Sequence, residues 1–248
     1  MTEENGLPAE IALLWGLRET PRRGRKPSLT IGEITRAAIE VADAEGLGAV
    51  SMARVAQQLG NSTMALYRHV KSKDELLKLM ADAAMEDPPP MPATGGWRAG
   101  LTLWANSVLL TFRRHPWCAR IPLTGPPLGP KNLAWFDSAL GTLADTPLSE
   151  SEKVGVVMGL LTFVHGEIRL TAELAESFQE NPEAFGPSYA RALRLLVDPR
   201  KLPALGRVVD AGVFDQPNLY DEGDVDADFA FGLGLYLDGV AAYLAGRA

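Results

Sequence analysis

Four side chains that can bind an anion lie close together in the stretch NSTMALYRHVKSKDELL, residues 61–77. They are Tyr67, Arg68, His69 and Lys73. A hydroxyl, a guanidinium, an imidazole N–H and an ammonium group can each donate a hydrogen bond to a phosphate oxygen. A second basic segment comes earlier in the chain and contains Arg22, Arg23, Arg25 and Lys26 around a glycine. Both segments therefore favour binding to a polyanion.

The charge distribution supports an anion-binding surface at one end of the protein only. The chain has a formal net charge of −7, but residues 18–73 alone carry +5 and the remaining residues −12. An electropositive module attached to an acidic body is typical of proteins that bind nucleic acid through one domain. Random unevenness of surface charge is the alternative that composition alone leaves open.

Length and composition indicate a soluble helical protein of one large or two modest domains. The chain has 248 residues and a single cysteine, Cys118, so it cannot form an internal disulfide or a cysteine zinc site. The N-terminal residues lack the basic start of a secretory signal, and no apolar run reaches the roughly 20 residues needed to cross a bilayer. We therefore expect a cytoplasmic protein with no membrane contact.

Capping residues predict four helices in residues 29–86. Thr30 and Glu33 have the spacing of a capping box, and Gly46 can end the helix that they begin. Ser51 and Ser62 are expected to cap the next two helices, and Ser72 with Glu75 a fourth. Ala56, Gly60 and Leu66 have the spacing of a helix-turn-helix, in which a small residue, a turn glycine and an apolar residue permit close packing.

In this arrangement the helix after Gly60 can enter a DNA major groove. Leu66 and Val70 point inward, which leaves Thr63, Met64, Ala65 and Arg68 to meet base edges or thymine methyl groups. Tyr67, His69 and Lys73 are predicted phosphate contacts, together with the free N–H groups at the start of the fourth helix. Each residue has a plainer interpretation: Tyr67 as a packing residue, His69 and Arg68 as surface groups, and the basic segment as a solubilising linker.

The proline run at residues 88–92 divides the chain, because proline cannot continue a helix. We predict an N-terminal extension at 1–28, a DNA-binding domain at 29–86 and a helical domain at 95–248. Helices are expected from about Trp97 to Arg114, Lys131 to Ala144, Pro147 to Phe178 and Asp224 to Leu244. Asn181 and Asp198, each followed by proline, are expected to be the N-caps of two further helices. No alternating strand pattern is present, so the predicted class is all-α.

The second domain offers apolar and aromatic candidates for a ligand pocket, with one histidine among them. They are Trp104, Phe112, Trp117, Trp135, Phe136, Met158, Leu161, Phe163 and His165. Aromatic residues at helical spacing are also typical of an ordinary core, and His165 of a satisfied core histidine. The helix near Leu160 to Ala175 and the last helix, rich in glycine and alanine, are suited to close packing in a dimer or against neighbours in the same chain.

The stretch from Arg36 to Met80, with its EGL turn, ALYRHV and KSKDEL, resembles the DNA-binding domain of the tetracycline-repressor (TetR) family. The C-terminal half is similar to the ligand-binding domain of the tetracycline-repressor type. The resemblance implies a homodimeric regulator that binds double-stranded operator DNA, in most cases a repressor released by a small effector. It also implies that Thr63, Met64, Ala65, Tyr67, His69 and Lys73 face DNA. Three positions depart from the family: Met52 and Ala53 where a base-reading residue is common, and Asn61 where an apolar residue is usual.

Two other functions remain open at this level. A constitutive helix-turn-helix protein without an effector fits the same residues. A helical enzyme fits less well, because no HExxH, GxSxG, P-loop or dinucleotide motif is present and Cys118 has no neighbouring base. We predict no cofactor and no metal site, and the expected effector is small and largely apolar.

Overall fold

The computed structural model describes residues 9–17, 29–121, 128–181, 185–215 and 222–247, and these ranges contain helices but no β-strand. The prediction of an all-α protein is confirmed. The helices are α1 (Ala9–Leu14), α2 (Ile31–Glu45), α3 (Met52–Gln58), α4 (Thr63–Tyr67), α5 (Lys73–Ala84), α6 (Gly96–Arg114), α7 (Pro130–Thr142), α8 (Glu150–Glu180), α9 (Pro187–Leu196), α10 (Pro203–Asp210) and α11 (Glu222–Ala245). Short 3-10 turns lie at Leu47–Ala49, Pro116–Arg120 and Val213–Asp215.

The helices divide into two compact units, residues 1–164 and residues 165–247, and the division falls within α8. This partition differs from the predicted domain limits at 29–86 and 95–248, which stay a prediction. In the first unit α2 packs against α3 and α5, α3 against α4, α5 against α7, and α6 against α7. In the second unit α9, α10 and the turn at Val213–Asp215 pack together.

The predicted caps of the N-terminal helices are present because the sequence places a hydroxyl at each helix start. Thr30 Oγ1 accepts the N–H of Glu33 at 3.2 Å, and Glu33 Oε2 accepts the N–H of Thr30 at 2.7 Å, which completes the capping box. Ser51, Ser62 and Ser72 each accept the backbone N–H three residues later. Four helices of the first unit, α2 to α5, therefore begin where the sequence provides a short-range capping contact.

The core around these helices extends beyond residues 29–86. Its buried members include Ile34, Val41, Val55, Leu66, Val70 and Met80, but also Leu13 from α1 and Trp117 from the turn after α6. Helix α1 of the N-terminal extension therefore packs on the helix-turn-helix core through Leu13 and Leu14. Burying these side chains contributes about 1.5–3 kcal/mol each for the larger ones.

The predicted start of α10 is wrong. Asp198 and Pro199 were expected as N-cap and first helical residue, but the helix begins at Pro203, after Leu202. Asp198 Oδ1 instead accepts the N–H of Arg200 at 3.0 Å, which closes an Asx-turn. Asn181 follows the end of α8, and Pro182 lies outside the described residues.

One helix is more apolar than the sequence pattern indicated. Residues Glu150–Phe178 of α8 are long and apolar enough to cross a membrane by length and composition, a test that the core helix of a soluble protein also passes.

Candidate nucleic-acid interface and effector-binding region

The helix-turn-helix is formed by α3, the turn at Gly60 and α4. Gly60 has a φ of +63°, a conformation in which a residue with a Cβ is strained, so glycine is required there. The N–H of Asn61 donates to the carbonyl oxygen of Ala56 at 2.9 Å and closes the turn. The departure at Asn61 has a local explanation, since its amide donates to the carbonyl oxygen of Leu59 at 2.9 Å.

Helix α4 is short and presents one buried and one exposed side. Leu66 and Val70 are fully buried, as predicted. Met64 is 71% exposed, Tyr67 is 45% exposed and Arg68 is exposed. An exposed methionine on a five-residue helix has no role in the core of this unit, so the side that carries it is available for contact with another molecule.

The remaining predicted DNA contacts differ in their exposure. Lys73, the first residue of α5, is exposed, whereas Thr63, Ala65 and His69 are partly buried. Ala65 packs against the core, so its methyl group is less available than that of Met64. The basic residues Arg22, Arg23, Arg25 and Lys26 lie outside the described residues.

The first helix of the motif, α3, carries Met52 and Ala53, two of the positions expected to depart from the TetR family. Met52 is buried and Ala53 is too short to reach a base edge. The basic residue of this helix, Arg54, is bound by Glu45, with Nη2 to Oε1 at 2.6 Å and Nε to Oε1 at 3.1 Å. The hydrogen bond from Arg54 lowers the pKa of the Glu45 carboxyl, so the pair stays charged.

The structure places the nine pocket candidates in different environments. Trp104 and Trp135 are buried and meet edge to face, with ring centroids 6.1 Å apart. Phe112 is buried, Phe136, Leu161 and Phe163 are partly buried, and Met158 is 46% exposed. Trp117 lies in the helix-turn-helix core, where its indole N–H donates to Asp43 at 2.6 Å.

His165 is partly buried at the start of the second unit, and burial lowers its pKa. A half-open cleft of about 530 Å³ in the first unit is lined by residues of α1, α2 and α5, by Glu86 and by His115, and by none of the nine candidates. Within the described residues no group of three or more His, Cys, Asp or Glu side chains could hold a metal ion.

Sequence reasoning missed the polar residues that connect the helices of the first unit. The carboxylates of Asp43 and Asp82 and the indole of Trp15 each bond to residues more than 45 positions away. The sequence contained one signal, an aspartate at position 82 between the core residues Met80 and Ala84 on the apolar side of a helix. A buried carboxylate must be hydrogen-bonded, so that position predicts a distant partner without naming it.

Comparison with known proteins decides the family. The sequence model described as "Bacterial regulatory proteins, tetR family" matches residues 34–80, and that described as "Tetracyclin repressor-like, C-terminal domain" matches residues 89–244. The chain belongs to the TetR family. It is therefore related to DNA-binding transcriptional regulators with a helix-turn-helix, as the sequence motifs predicted.

Relatives of this TetR-family chain cover nearly its whole length. The HTH-type transcriptional repressor DrrR1 of Streptomyces coeruleorubidus is 35% identical over 99% of this chain and 91% of its own. The crystal structure of apo ActR from Streptomyces coelicolor superposes with a TM-score of 0.73 at 26% identity, covering 91% of this chain and all of ActR. The structure of ActR in complex with actinorhodin has a TM-score of 0.72 at 27% identity, covering 89% of this chain and 99% of ActR.

Proposed function

We propose that this chain is a homodimeric repressor that binds operator DNA through α4 and leaves it when a small molecule binds the C-terminal domain. The observation that carries the proposal is the exposed side of α4, where Met64 and Arg68 lie opposite the buried Leu66 and Val70. A major groove accepts a helix with such a side. The name of DrrR1 as a repressor supports this direction of regulation.

The roles of individual residues follow from their positions around α4. Tyr67, His69 and Lys73 lie at the C-terminal side of the motif and bind phosphates, which fixes the position of the protein on DNA. Thr63, Met64, Ala65 and Arg68 face the groove, where Arg68 supplies the strong hydrogen-bond donor and Met64 an apolar surface for thymine methyl groups. The basic segment at Arg22, Arg23, Arg25 and Lys26 adds contacts to the DNA backbone.

A dimer is supported by an exposed apolar stripe on α11. Phe231, Leu235 and Tyr243 recur at multiples of four residues and are exposed, with the small Gly239 between them. The opposite side of the helix carries the buried Phe229, Leu233, Leu237 and Val240. A helix with apolar residues on both sides packs against two partners, and a second copy of α11 with α8 is suited to be one of them.

The dimer is tested by reversing the polarity of that stripe. Leu235→Arg is expected to yield a monomer in sedimentation equilibrium and to lower operator affinity by at least about 100-fold, because a single half-site loses the second set of contacts. Leu195→Arg, on an exposed leucine of α9, is the matched control and leaves both properties unchanged. A dimeric Leu235→Arg protein would remove α11 from the interface.

The effector is expected to be bound by aromatic and apolar side chains on the helices of the C-terminal domain. The solved complexes of ActR with actinorhodin and with (S)-DNPA support a small-molecule ligand, and both compounds are the first probes. Trp104, Phe112, Trp135, Phe136, Met158, Leu161, Phe163 and His165 remain the candidate contacts, with Trp117 the least suited because its ring lies in the helix-turn-helix core.

The whole proposal is tested with purified protein and DNA from upstream of its own gene. We expect binding in the nanomolar range at physiological salt, at least about 1,000-fold tighter than to unrelated DNA. Titration with actinorhodin or (S)-DNPA is expected to release the DNA, and thermal-shift screening extends the search to other compounds. Specific binding that no compound reverses would favour the constitutive alternative, and no specific binding at low salt would exclude DNA recognition.

A further inference from the structure

We infer that α7 is coupled to the DNA-binding helices through a buried polar contact with α5, and that Asp82 and Trp135 are the positioning residues of this contact. We call it the α5–α7 joint, formed by Asp82 and Met85 of the α5 end and by Gly129, Asn132 and Trp135 of the α7 start. The inference rests on the proposed function, because a ligand-responsive repressor must connect its two domains. It assigns that connection to a particular set of atoms.

The first element of the joint is the Asp82 carboxylate, which is only 6% exposed. Its Oδ1 accepts the backbone N–H of Asn132 at 3.0 Å and the side-chain amide of the same residue at 2.8 Å. Its Oδ2 accepts the N–H of Lys131 at 3.4 Å. These N–H groups belong to the first turn of α7, where the helix dipole also favours a negative charge.

Such a carboxylate opposes gradual displacement of the two helices. If α7 moved away from α5, the buried charge of Asp82 would lose its hydrogen bonds, which costs more than the bonds themselves contribute. The helices are therefore expected to move together or to separate completely. Packed elements with two discrete arrangements are the kind that carry coupling between sites.

Gly129 shows how closely the carboxylate approaches the start of α7. A Cβ added at Gly129 would lie 2.1 Å from Asp82 Oδ1 and 2.4 Å from its Cγ. The φ of Gly129 is −72°, which any residue can adopt, so glycine is required here for space and not for backbone conformation. A side chain at this position would separate α7 from α5.

The second element is a pair of indole hydrogen bonds that runs from α6 through α7 to α5. Trp104 Nε1 donates to the carbonyl oxygen of Trp135 at 2.8 Å. Trp135 Nε1 donates in turn to the carbonyl oxygen of Met85, the C-cap of α5, at 2.9 Å. Both rings are buried, so each N–H needs the partner it has. Any rearrangement of α6 that rotates Trp135 therefore acts on the end of α5.

Two contacts at the surface hold the same region. Lys131 Nζ lies 2.5 Å from Asp87 Oδ1, and Trp15 Nε1 donates to the carbonyl oxygen of Leu128 at 2.8 Å. Because both contacts are partly exposed, they contribute little energy individually. They show that α1 and the segment after α5 both meet the start of α7.

The joint lies at the C-terminal end of α5, whereas α4 precedes its N-terminal end. α5 has 12 residues and begins three residues after the buried Val70. At 1.5 Å per residue α5 is about 18 Å long. A rotation of α5 imposed at Met85 therefore displaces the other end of this helix, where Lys73 is the first residue. The geometry thus connects α6 and α7, which carry aromatic candidates for effector binding, with the predicted DNA contacts.

The first test uses hydrogen–deuterium exchange of the full-length protein without DNA. In Trp135→Phe and Asp82→Asn we expect exchange to accelerate about tenfold in both 79–86 and 131–135, because both helix ends lose the same bonds. Trp97→Phe in α6 and the exposed Asp137→Asn in α7 are the matched controls and leave both segments unchanged. Circular dichroism verifies that each variant folds, and Trp135→Phe decides the result if Asp82→Asn does not fold.

Two outcomes of this first test would overturn the joint. One is exchange within threefold of wild type in both segments. The other is acceleration confined to α7, since it would make Asp82 and Trp135 local packing residues without coupling to α5.

The second test adds DNA from upstream of the gene. In the wild type we expect slower exchange in both 63–84 and 130–142, whereas in Trp135→Phe the slowing is confined to 63–84. Equal slowing of α7 in the two proteins would overturn the coupling. If DNA protects no residue of α4, the proposed function fails, and the first test still decides whether the joint couples α5 with α7.

Discussion

The carboxylate of Asp43 in α2 accepts a hydrogen bond of 2.6 Å from the indole N–H of Trp117, a residue 74 positions later in the chain. Asp43 Oδ1 also lies 2.8 Å from Nδ1 of His115, the residue after α6. One side chain of the helix-turn-helix domain thus holds both the end of α6 and the turn that follows it. This contact is separate from the α5–α7 joint and lies at the C-terminal end of α6.

Replacing Trp117 by phenylalanine is expected to lower the free energy of unfolding by about 1.5–3 kcal/mol, the range for a hydrogen bond to a charged group. The ring remains in the core, so most of the loss comes from the missing N–H donor. Urea denaturation measures the change, and Trp97→Phe is the control expected to stay within about 0.5 kcal/mol of wild type. An unchanged stability of Trp117→Phe would mean that water replaces the indole at Asp43.

Lys73→Ala is expected to weaken binding to all DNA sequences alike, because a phosphate contact carries no sequence information. The slope of log K against log salt should fall in magnitude by about 0.9, the value for one phosphate contact. Fluorescence anisotropy at several salt concentrations measures this slope. Lys201→Ala, on an exposed lysine of the second unit, should leave it unchanged; an equal slope for Lys73→Ala would remove Lys73 from the phosphate contacts.

Arg68→Ala is expected to relax discrimination at one base pair of each half-site by about 1–3 kcal/mol. Arg68 is the only strong donor among the residues predicted to face the groove, so the remaining positions should keep their preferences. Competition with single-base variants of the operator measures the effect, and Lys73→Ala provides the contrast of a uniform loss. A uniform loss for Arg68→Ala would reassign Arg68 to the DNA backbone.

Cys118 is expected to resist alkylation in the folded protein. Burial, with a smaller contribution from the nearby Asp43, raises the pKa of its thiol to about 12. At pH 8 the thiolate fraction is then roughly 1,000-fold smaller than for an exposed cysteine, and only the thiolate reacts. Iodoacetamide labelling followed by mass spectrometry should show reaction in 6 M urea and almost none without it; rapid labelling of the native protein would contradict the burial of this residue.

His165 is expected to make the protein less stable as the pH falls below about 6.5. Burial lowers its pKa in the folded state from the ordinary value of 6.5, so the unfolded chain binds a proton first. The stability that depends on neutral His165 is therefore fully present above pH 6.5. It is lost as the pH falls toward the lower pKa of the folded state. Unfolding of wild type and His165→Gln between pH 8 and 5 measures the difference, which should shrink toward acid pH; a constant difference would contradict the shift.

Local chemistry explains why much of the helix-turn-helix could be predicted. A hydroxyl at Ser51 or Ser62 bonds to an N–H three residues away, and Gly60 takes a positive φ, whatever the rest of the chain does. The periodic spacing of Leu66 and Val70 likewise fixed which side of α4 faces inward. These features depend on neighbours within one or two helical turns, which the sequence lists in order.

Local chemistry was insufficient where a residue had two acceptable partners. Asp198 before Pro199 could cap a helix or close a turn, and the packing of the second unit selected the turn, with the helix beginning at Pro203. Trp117 could line a pocket or fill a core, and only its contact with Asp43 decided between them.

The sequence by itself determined the all-α class, the helix-turn-helix and the family of this protein, because caps, turn glycines and apolar periodicity act over short distances along the chain. Only the tertiary structure decided how the helices of the first unit are coupled. Asp82 and Asn132 are 50 residues apart and Trp15 and Leu128 are 113 apart. The physical reason is that a hydrogen bond across such a separation leaves no period in the sequence and depends on where packing brings each helix end.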